Sequence, residues 1–453
     1  MLLTILQIFL AITLLCLFLR LSGIKIVGLR SNPFGLFFCL NFFVVSLPGI
    51  IIVYSPGIDT FLNAGMMSVS SSVIDYVTYS YAFSLLVIML MLLASSGISK
   101  GFYIRASYFS NISQIKLINR FTVIGMFVNI IFLFVLAVKI GINNVPFVES
   151  IWGEMTHAKV LKARLITGEV AKLPESVNQL FRILIPLTAY LAAYQYFSRE
   201  SIKKQKIVFI GSVFLAFIYY MYDLQKAPVF LFIFGLMFIY SFHRGLSWKL
   251  LLILFILTMA LLSINAFYFN LTAFEDIFLL IEKVGNRLFI RQNQGMYYIV
   301  EFISPSAEYL KNGAIFSSFV FSDVPESADA TVMKIMYGDI ESNVNMNTYF
   351  LGQAYSIAGI LGIAFSSVVI GSHLCIYLII FKKLYKINIA FFMPLSVVFY
   401  LFFVPINQGF NSFLYGRNVI FFVVFGLIIY FLYSFQTKNF FKKASVIGLS
   451  NET

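Results

Sequence analysis

The chain reads as an all-α, polytopic integral membrane protein, and three observations predict this. Of its residues 60% are hydrophobic and only 11% charged, a balance far from that of a water-soluble domain. Apolar runs that approach or exceed the roughly 20 residues a spanning helix needs recur along the sequence. Sorted alternately to two sides, the connecting segments also separate by charge. One side collects 19 Lys/Arg against two acids, Glu200 and Glu452, and the other holds 13 Lys/Arg with the remaining 17 acids. Cytoplasmic loops are enriched in Lys and Arg, which assigns the first side to the cytoplasm. The same bias accounts for the net charge of +13. No extramembrane stretch interleaves basic and aromatic residues in the manner of a strand-binding surface, so nucleic acid is not an expected partner.

Taken in order, the pattern predicts about 11 (10–12) transmembrane helices in a single membrane domain, residues 1–453, with the N-terminus outside and the C-terminus inside. Residues 1–18 lack a basic start and a small-residue cleavage site, and are expected as a retained helix. Arg20, Lys25 and Arg30 follow, then a return span over 34–54 and a loop without Lys or Arg. Spans over 77–96 and 121–140 flank the basic loop of Lys100, Arg105, Lys116 and Arg120. A mixed-charge outer loop covers 141–178, containing an amphipathic stretch, 151–165. The span 180–197 leads to Arg199, Lys203, Lys204 and Lys206. Spans over 207–222 and 228–242 form a hairpin, and 250–269 runs into a late loop, 270–347. The last spans cover 356–381, 390–404 and 419–435, separated on the cytoplasmic side by Lys382, Lys383 and Lys386. Both outer loops are long enough to re-enter the membrane or lie on it. Cys16, Cys39 and Cys375 all sit in apolar runs without ligand spacing, so neither a disulfide framework nor a metal site is expected.

The late loop is where chemistry concentrates. Phe274, Ile277, Phe278, Ile281, Val284 and Leu288 fall at helical spacing within 274–299. The opposite face of that predicted amphipathic helix would carry Lys283, Arg287, Arg291 and Gln294. Arginines one turn apart beside a membrane suit phosphate or pyrophosphate; the alternative is a solvated helix face. Lys226 in the 222–228 turn, Arg182 near a helix end, Arg417 before the last span and Arg164 in the mid-chain loop lie on the same outer side. Each either faces a polar site or snorkels to the interface. Converging, Arg164, Lys226, Arg287, Arg291 and Arg417 would make a basic cavity that stabilises a leaving diphosphate. Asp223, Asp276, Glu301, Asp339 and His157 are available as a general base, and the sequence does not choose among them. Tyr297, Tyr298, Asn345, Asn347, Tyr349 and Gln353 would stack on and hydrogen-bond sugars, or anchor the interface. There is no Asp-x-Asp, Walker-type glycine loop or Gly-x-Ser-x-Gly elbow, so no metal, nucleotide or other cofactor is expected.

With these residues in view, the chain resembles the Wzy-type O-antigen and oligosaccharide repeat-unit polymerases. Asn345-Met-Asn347-Thr-Tyr-Phe followed by Gly359-Ile-Leu-Gly362 is similar to their return from the late loop. Ser412-Phe-Leu-Tyr-Gly-Arg417 leading into Phe421-Phe-Val-Val-Phe-Gly426 resembles their final helix with its entering arginine. Lys226 stands where many members have an arginine. Neither loop carries the Arg-x10-Gly spacing described for some members, and the late loop lacks the histidine of the related ligases, which speaks against a ligase.

The resemblance implies a GT-C-superfamily-like fold in the bacterial inner membrane, with its site facing the periplasm. The implied reaction transfers a growing glycan from undecaprenyl pyrophosphate to another lipid-linked repeat unit, without metal or nucleotide. Its implied partners are those donor and acceptor lipids, membrane lipid and a chain-length regulator. In this reading Arg287, Arg291 and Arg417 are catalytic, and Arg164, Lys226, Tyr297, Asn347 and Tyr349 bind substrate. The alternative is a lipid-linked oligosaccharide flippase or other membrane transporter, which would bury charges in mid-helix instead of gathering them at one face.

Overall fold

The computed structural model describes residues 2–26, 28–54, 69–96, 112–141, 145, 175–198, 203–222, 226–245, 249, 252, 256, 286–311, 326–337, 347–404, 406, 409–415, 423–424 and 426–427. Every regular element among them is helical. In chain order they are α1 (Leu2–Ser22), α2 (Pro33–Phe38), a π-helical segment (Cys39–Ser46), α3 (Leu47–Tyr54), α4 (Ser71–Ala94), α5 (Ile112–Ile140), α6 (Glu175–Phe197), α7 (Lys203–Met221) and α8 (Lys226–Arg244). A π-helical turn (Asn286–Ile290), α9 (Gln294–Phe302), a 3₁₀ turn (Ala307–Lys311), α10 (Ala328–Tyr337), α11 (Tyr349–Val398), a last π segment (Phe399–Phe403) and α12 (Asn411–Tyr415) follow. Six stretches among the described residues are long and apolar enough to cross a membrane: Thr4–Ser22, Pro33–Tyr54, Ser71–Ala94, Ile118–Ile140, Lys204–Met221 and Tyr349–Phe403. The chain is therefore an all-helical, membrane-embedded protein. Most of the expected spans 250–269 and 419–435 lies outside the described residues.

Local chemistry sets several boundaries. Asn32 opens α2: its Oδ1 accepts from Phe34 N at 2.9 Å with Pro33 at the first helical position, where a missing N–H costs nothing. The chain then runs without a break through the π segment to Tyr54, matching the expected span of 34–54. Pro33 and Tyr54 thus mark opposite ends of the bundle, here termed proximal and distal.

The 50-residue α11 is not one rod. Backbone angles leave the helical region at Ala358, Gly359 and Asn388. Beyond Asn388 the chain doubles back: the Tyr377 and Phe399 rings are 4.8 Å apart, whereas 22 residues of continuous helix would separate them by about 33 Å. The Tyr385 hydroxyl and Ser396 Oγ, 2.5 Å apart, close the hairpin. The expected pair of spans, 356–381 and 390–404, is thus present. The connection carrying Lys382, Lys383 and Lys386 is itself helical and turns at one asparagine. Gly359, at φ +60°, adopts a conformation that L side chains rarely take.

At the centre stands α6. Ile183, Ile185, Leu187, Ala189, Tyr190, Leu191 and Ala193 are all fully buried, so the middle of the helix, 183–193, is almost wholly apolar on every side, as an element surrounded by others must be. It packs on α5, α7, α8 and α11. The Tyr190 hydroxyl reaches Phe232 O on α8 at 3.0 Å. On the other flank α1 packs on α4, and α4 on α11.

Candidate functional site

The segment Asn286–Phe302 enters the bundle from the distal end. Nothing in its sequence is apolar enough to span: α9 has nine residues. Yet Gln294 through Ile299 are all buried, and their partners lie well down the neighbouring spans. Asn293 Nδ2 donates to Ser46 O and to Phe289 O, both at 3.1 Å. Ser46 is at the foot of α3, whose 8 residues place it about 12 Å below the distal end. At the other end of α9, Glu301 Oε2 accepts from Ser70 N (2.9 Å) and Ser70 Oγ (2.8 Å), just before α4 begins. The segment is therefore re-entrant, with its turn deep and the C-terminal end of α9 at the rim.

Gly49 makes this approach possible. A Cβ there would stand 2.1 Å from Phe289 O and 2.6 Å from Asn293 Nδ2, so only a bare Cα lets the two backbones meet.

This geometry corrects the expected continuous helix. The π turn ends at Ile290, Arg291–Asn293 form a turn and α9 starts afresh at Gln294. Arg291 N bonds Asn286 O and Asn293 N bonds Ile290 O, both at 2.9 Å. Arg291 is consequently exposed while Gln294 is buried, and the two do not share one face.

The deep turn gathers polar groups around Arg291. Asn347 Nδ2 donates to Gln292 Oε1 at 2.8 Å, and Gly295 N donates to Asn347 O at 3.2 Å. Among the described residues no carboxylate pairs with Arg291; the ion pair found there joins Lys334 and Glu326 at 2.9 Å. Gln294 Nε2 donates to the Tyr298 hydroxyl at 2.8 Å.

Of the residues expected to contact substrate, Arg291 and Asn347 are exposed, and Asn347 bonds Gln292 and Gly295, which follow Arg291 in the chain. Tyr297 and Tyr349 are 0% and 1% exposed, with no ring face open to a sugar. Tyr349 is held in a left-handed conformation at φ 52°, its ring wedged against Phe42, Tyr81 and Phe350. Both pack the interior because α4 supplies Thr78 and Tyr81 opposite them. Arg287 lies in the π turn and Lys226 opens α8, but both side chains, and all of Arg164 and Arg417, lie outside the described residues. Arg182 is exposed on α6. Among possible bases, Glu301 is engaged by Ser70, and Asp223, Asp276, Asp339 and His157 lie outside the described residues. No cluster of metal-ligating side chains occurs among the described residues.

Gln353 bonds the start of α12. Its Oε1 accepts from Asn411 N at 2.9 Å, while Asn411 Nδ2 reaches Tyr309 O at 3.0 Å. Sequence reasoning missed Gly49, Asn293 and Gln292. The one available signal was three consecutive amides, Gln292-Asn293-Gln294, directly after Arg291.

Comparison of the chain with protein families, with curated proteins and with solved structures gives no match.

Proposed function

We propose that this protein is a membrane glycosyltransferase of the repeat-unit polymerase type. It moves a growing glycan from undecaprenyl pyrophosphate to another lipid-linked repeat unit, at the periplasmic face of the bacterial inner membrane. The observation that carries this reading is Arg291: an exposed guanidinium, unpaired among the described residues, on a polar re-entrant turn within the bundle. A cation at such depth is costly and marks a site for an anionic partner. A planar guanidinium grips diphosphate oxygens two at a time. A diphosphate carried on a lipid reaches that depth from within the bilayer. In the transfer, the acceptor hydroxyl oxygen bonds to the anomeric carbon and gives up its proton to solvent, as the bond from that carbon to the diphosphate oxygen breaks. Arg291 takes up the charge growing on the leaving diphosphate, with Arg287, Arg417, Lys226 and Arg164 as further cations. Asn347 and Gln292 offer amides to sugar hydroxyls. Lys/Arg enrichment at the opposite end supports the orientation: Lys25, Arg30, Lys204, Arg244 and Lys382 all lie there.

The alternative, a lipid-linked oligosaccharide flippase, draws support from the breaks in α11 and the re-entrant segment, since transporters also build sites from broken helices. It expects ionisable side chains at the middle of spanning helices. In the described spans they gather towards the ends.

Complementation of a polymerase-null strain that makes the cognate repeat unit separates the two readings. Wild type is expected to restore a polymer ladder, and Arg291→Ala, at equal membrane abundance, a single repeat unit. Arg291→Lys retains the charge but not the fork and is expected to fall between them. A full ladder from Arg291→Ala removes this residue from the site. No ladder from wild type overturns the polymerase reading.

A further inference from the structure

At the proximal end, opposite the Arg291 turn, the segment joining α1 to α2 is folded against the end of α8. Gly245, at φ +82°, takes the left-handed conformation that stops α8, and its N–H bonds Ser241 O at 2.8 Å. The next carbonyl of the helix end, Phe242 O, accepts instead from Arg30 N at 3.1 Å. Gly28 N adds a bond to Ser241 Oγ at 3.3 Å. Lys25 O accepts from Asn32 N at 2.8 Å, closing the segment on itself. Ser31, Asn32, Ser241 and Phe242 are all buried, so the segment has a defined seat on α8.

Arg30 N stands where the amide of residue 246 would stand if α8 continued. Its Cα therefore lies within roughly 8 Å of that of Arg244, which would be two residues earlier on the same spiral. Both long side chains can reach one anion. Arg244 is exposed and enters no ion pair among the described residues. Lys25, exposed on the same closed segment, adds a third cation. Arg30 itself is held at φ 60°, a backbone conformation that glycine adopts freely and arginine seldom does. Strain of this kind collects where a side chain is used. Apolar side chains face outward beside these cations. Leu29 is 56% exposed and Leu21, at the end of α1, 43%. Leu29 Cγ lies 3.7 Å from where a Cβ on Gly245 would stand. Cations flanked by exposed leucines at the end of a membrane span suit a ligand that is anionic and apolar at once.

We propose that this capped end of α8 binds the phosphate group of an anionic phospholipid. Arg30 and Arg244 hold the phosphate oxygens, Lys25 adds to the positive field, and Leu29 lies against the acyl chains. Planar guanidinium donors match phosphate geometry, and anionic headgroups are drawn to Lys and Arg at the bilayer edge. A free anion would satisfy the cations but leave the leucines in water, so a lipid is the occupant this surface fits. Bound there, it ties the α1–α2 segment to α8, across 213 residues of sequence. The inference does not rest on the reaction proposed above, because its residues lie at the opposite end of the bundle from Arg291.

Native mass spectrometry of the full chain, titrated with phosphatidylglycerol or with phosphatidylcholine of the same acyl chains, tests this. Wild type is expected to bind phosphatidylglycerol about tenfold or more tightly than phosphatidylcholine. Arg30→Gly removes the guanidinium and keeps the positive φ; Arg244→Gln removes the second cation at an exposed position. Each should weaken phosphatidylglycerol binding about fivefold, the loss expected for one cation at a charged membrane surface. The double variant should lose more than either, with phosphatidylcholine binding and thermal unfolding in lipid-free detergent unchanged. Lys204→Gln, at another exposed cation of the proximal end, should bind as wild type does. Equal binding of the two lipids by wild type overturns the proposal. So does wild-type binding by the folded double variant, or an equal loss from Lys204→Gln, which would show general surface charge. Inorganic phosphate at millimolar concentration should not displace the lipid; displacement would make this a free-anion site and overturn the assigned occupant.

Discussion

Helix α6 and the re-entrant segment are both buried in the bundle, and they are buried by opposite means. Around α6 the complement is apolar, with Phe132 stacked on Phe181 and Tyr190 stacked on Phe232. The Tyr190 hydroxyl bond to Phe232 O adds to a fit that shape already sets. The re-entrant segment is too short to be held that way. Asn293, Asn347, Gln353, Asn411 and Glu301 fix it and its surroundings through bonds to specific backbone or side-chain atoms, and Gly49 provides its seat. Apolar burial is non-directional and tolerates small repacking. Polar burial depends on every partner being present. The region that carries the exposed Arg291 is therefore the one least tolerant of substitution.

The sharpest way to break this contrast is Gly49→Ala. One methyl group would press on the Phe289 backbone, which has no flexible end to move aside. The expected outcome is loss of the polymer ladder in the complementation assay and destabilisation of about 3 kcal/mol. Gly426→Ala, where a Cβ meets nothing within 4 Å, should be neutral in both. Next in size is Asn293→Leu, which leaves the carbonyls of Ser46 and Phe289 without that amide and should cost about 2–3 kcal/mol in a thermal unfolding series. The matching change beside α6, Tyr190→Phe, removes one hydroxyl from an apolar setting and should cost about 1 kcal/mol. Equal losses from the two would contradict the contrast. The smallest effect is expected from Glu301→Gln, about 1 kcal/mol at the rim. Hydrogen exchange should quicken in 294–302 and stay unchanged in 183–194; uniform quickening would show that Ser70 and Glu301 do not hold this segment in particular.

The spans were legible because composition alone places them. Residues 34–54 became Pro33–Tyr54 and 207–222 became Lys203–Met221, both holding stretches long and apolar enough to cross a membrane, whereas 228–242 became a helix whose apolar part, Pro228–Arg244, is shorter. Arg291 and Asn347 stood out as polar groups beside a membrane. The interruption at Arg291–Asn293 was not legible, because its cause is Ser46, 247 residues away in sequence. Helical periodicity over 274–299 reports a local preference, and a tertiary hydrogen bond overrides it. Tyr297 and Tyr349 read as sugar-binding or interfacial aromatics for a similar reason. Nothing near them in sequence reveals that α4 covers both rings. Nor does a run of three lysines announce that its connection is helical and turns at Asn388.

The most direct measurement is native mass spectrometry of the purified protein with undecaprenyl pyrophosphate, comparing wild type with Arg291→Ala. The probe needs no knowledge of the repeat unit. Wild type is expected to bind the lipid diphosphate, and Arg291→Ala about tenfold or more weakly, the loss expected for a two-point guanidinium contact. Equal binding by the two proteins would contradict the assignment of the re-entrant turn as the diphosphate site.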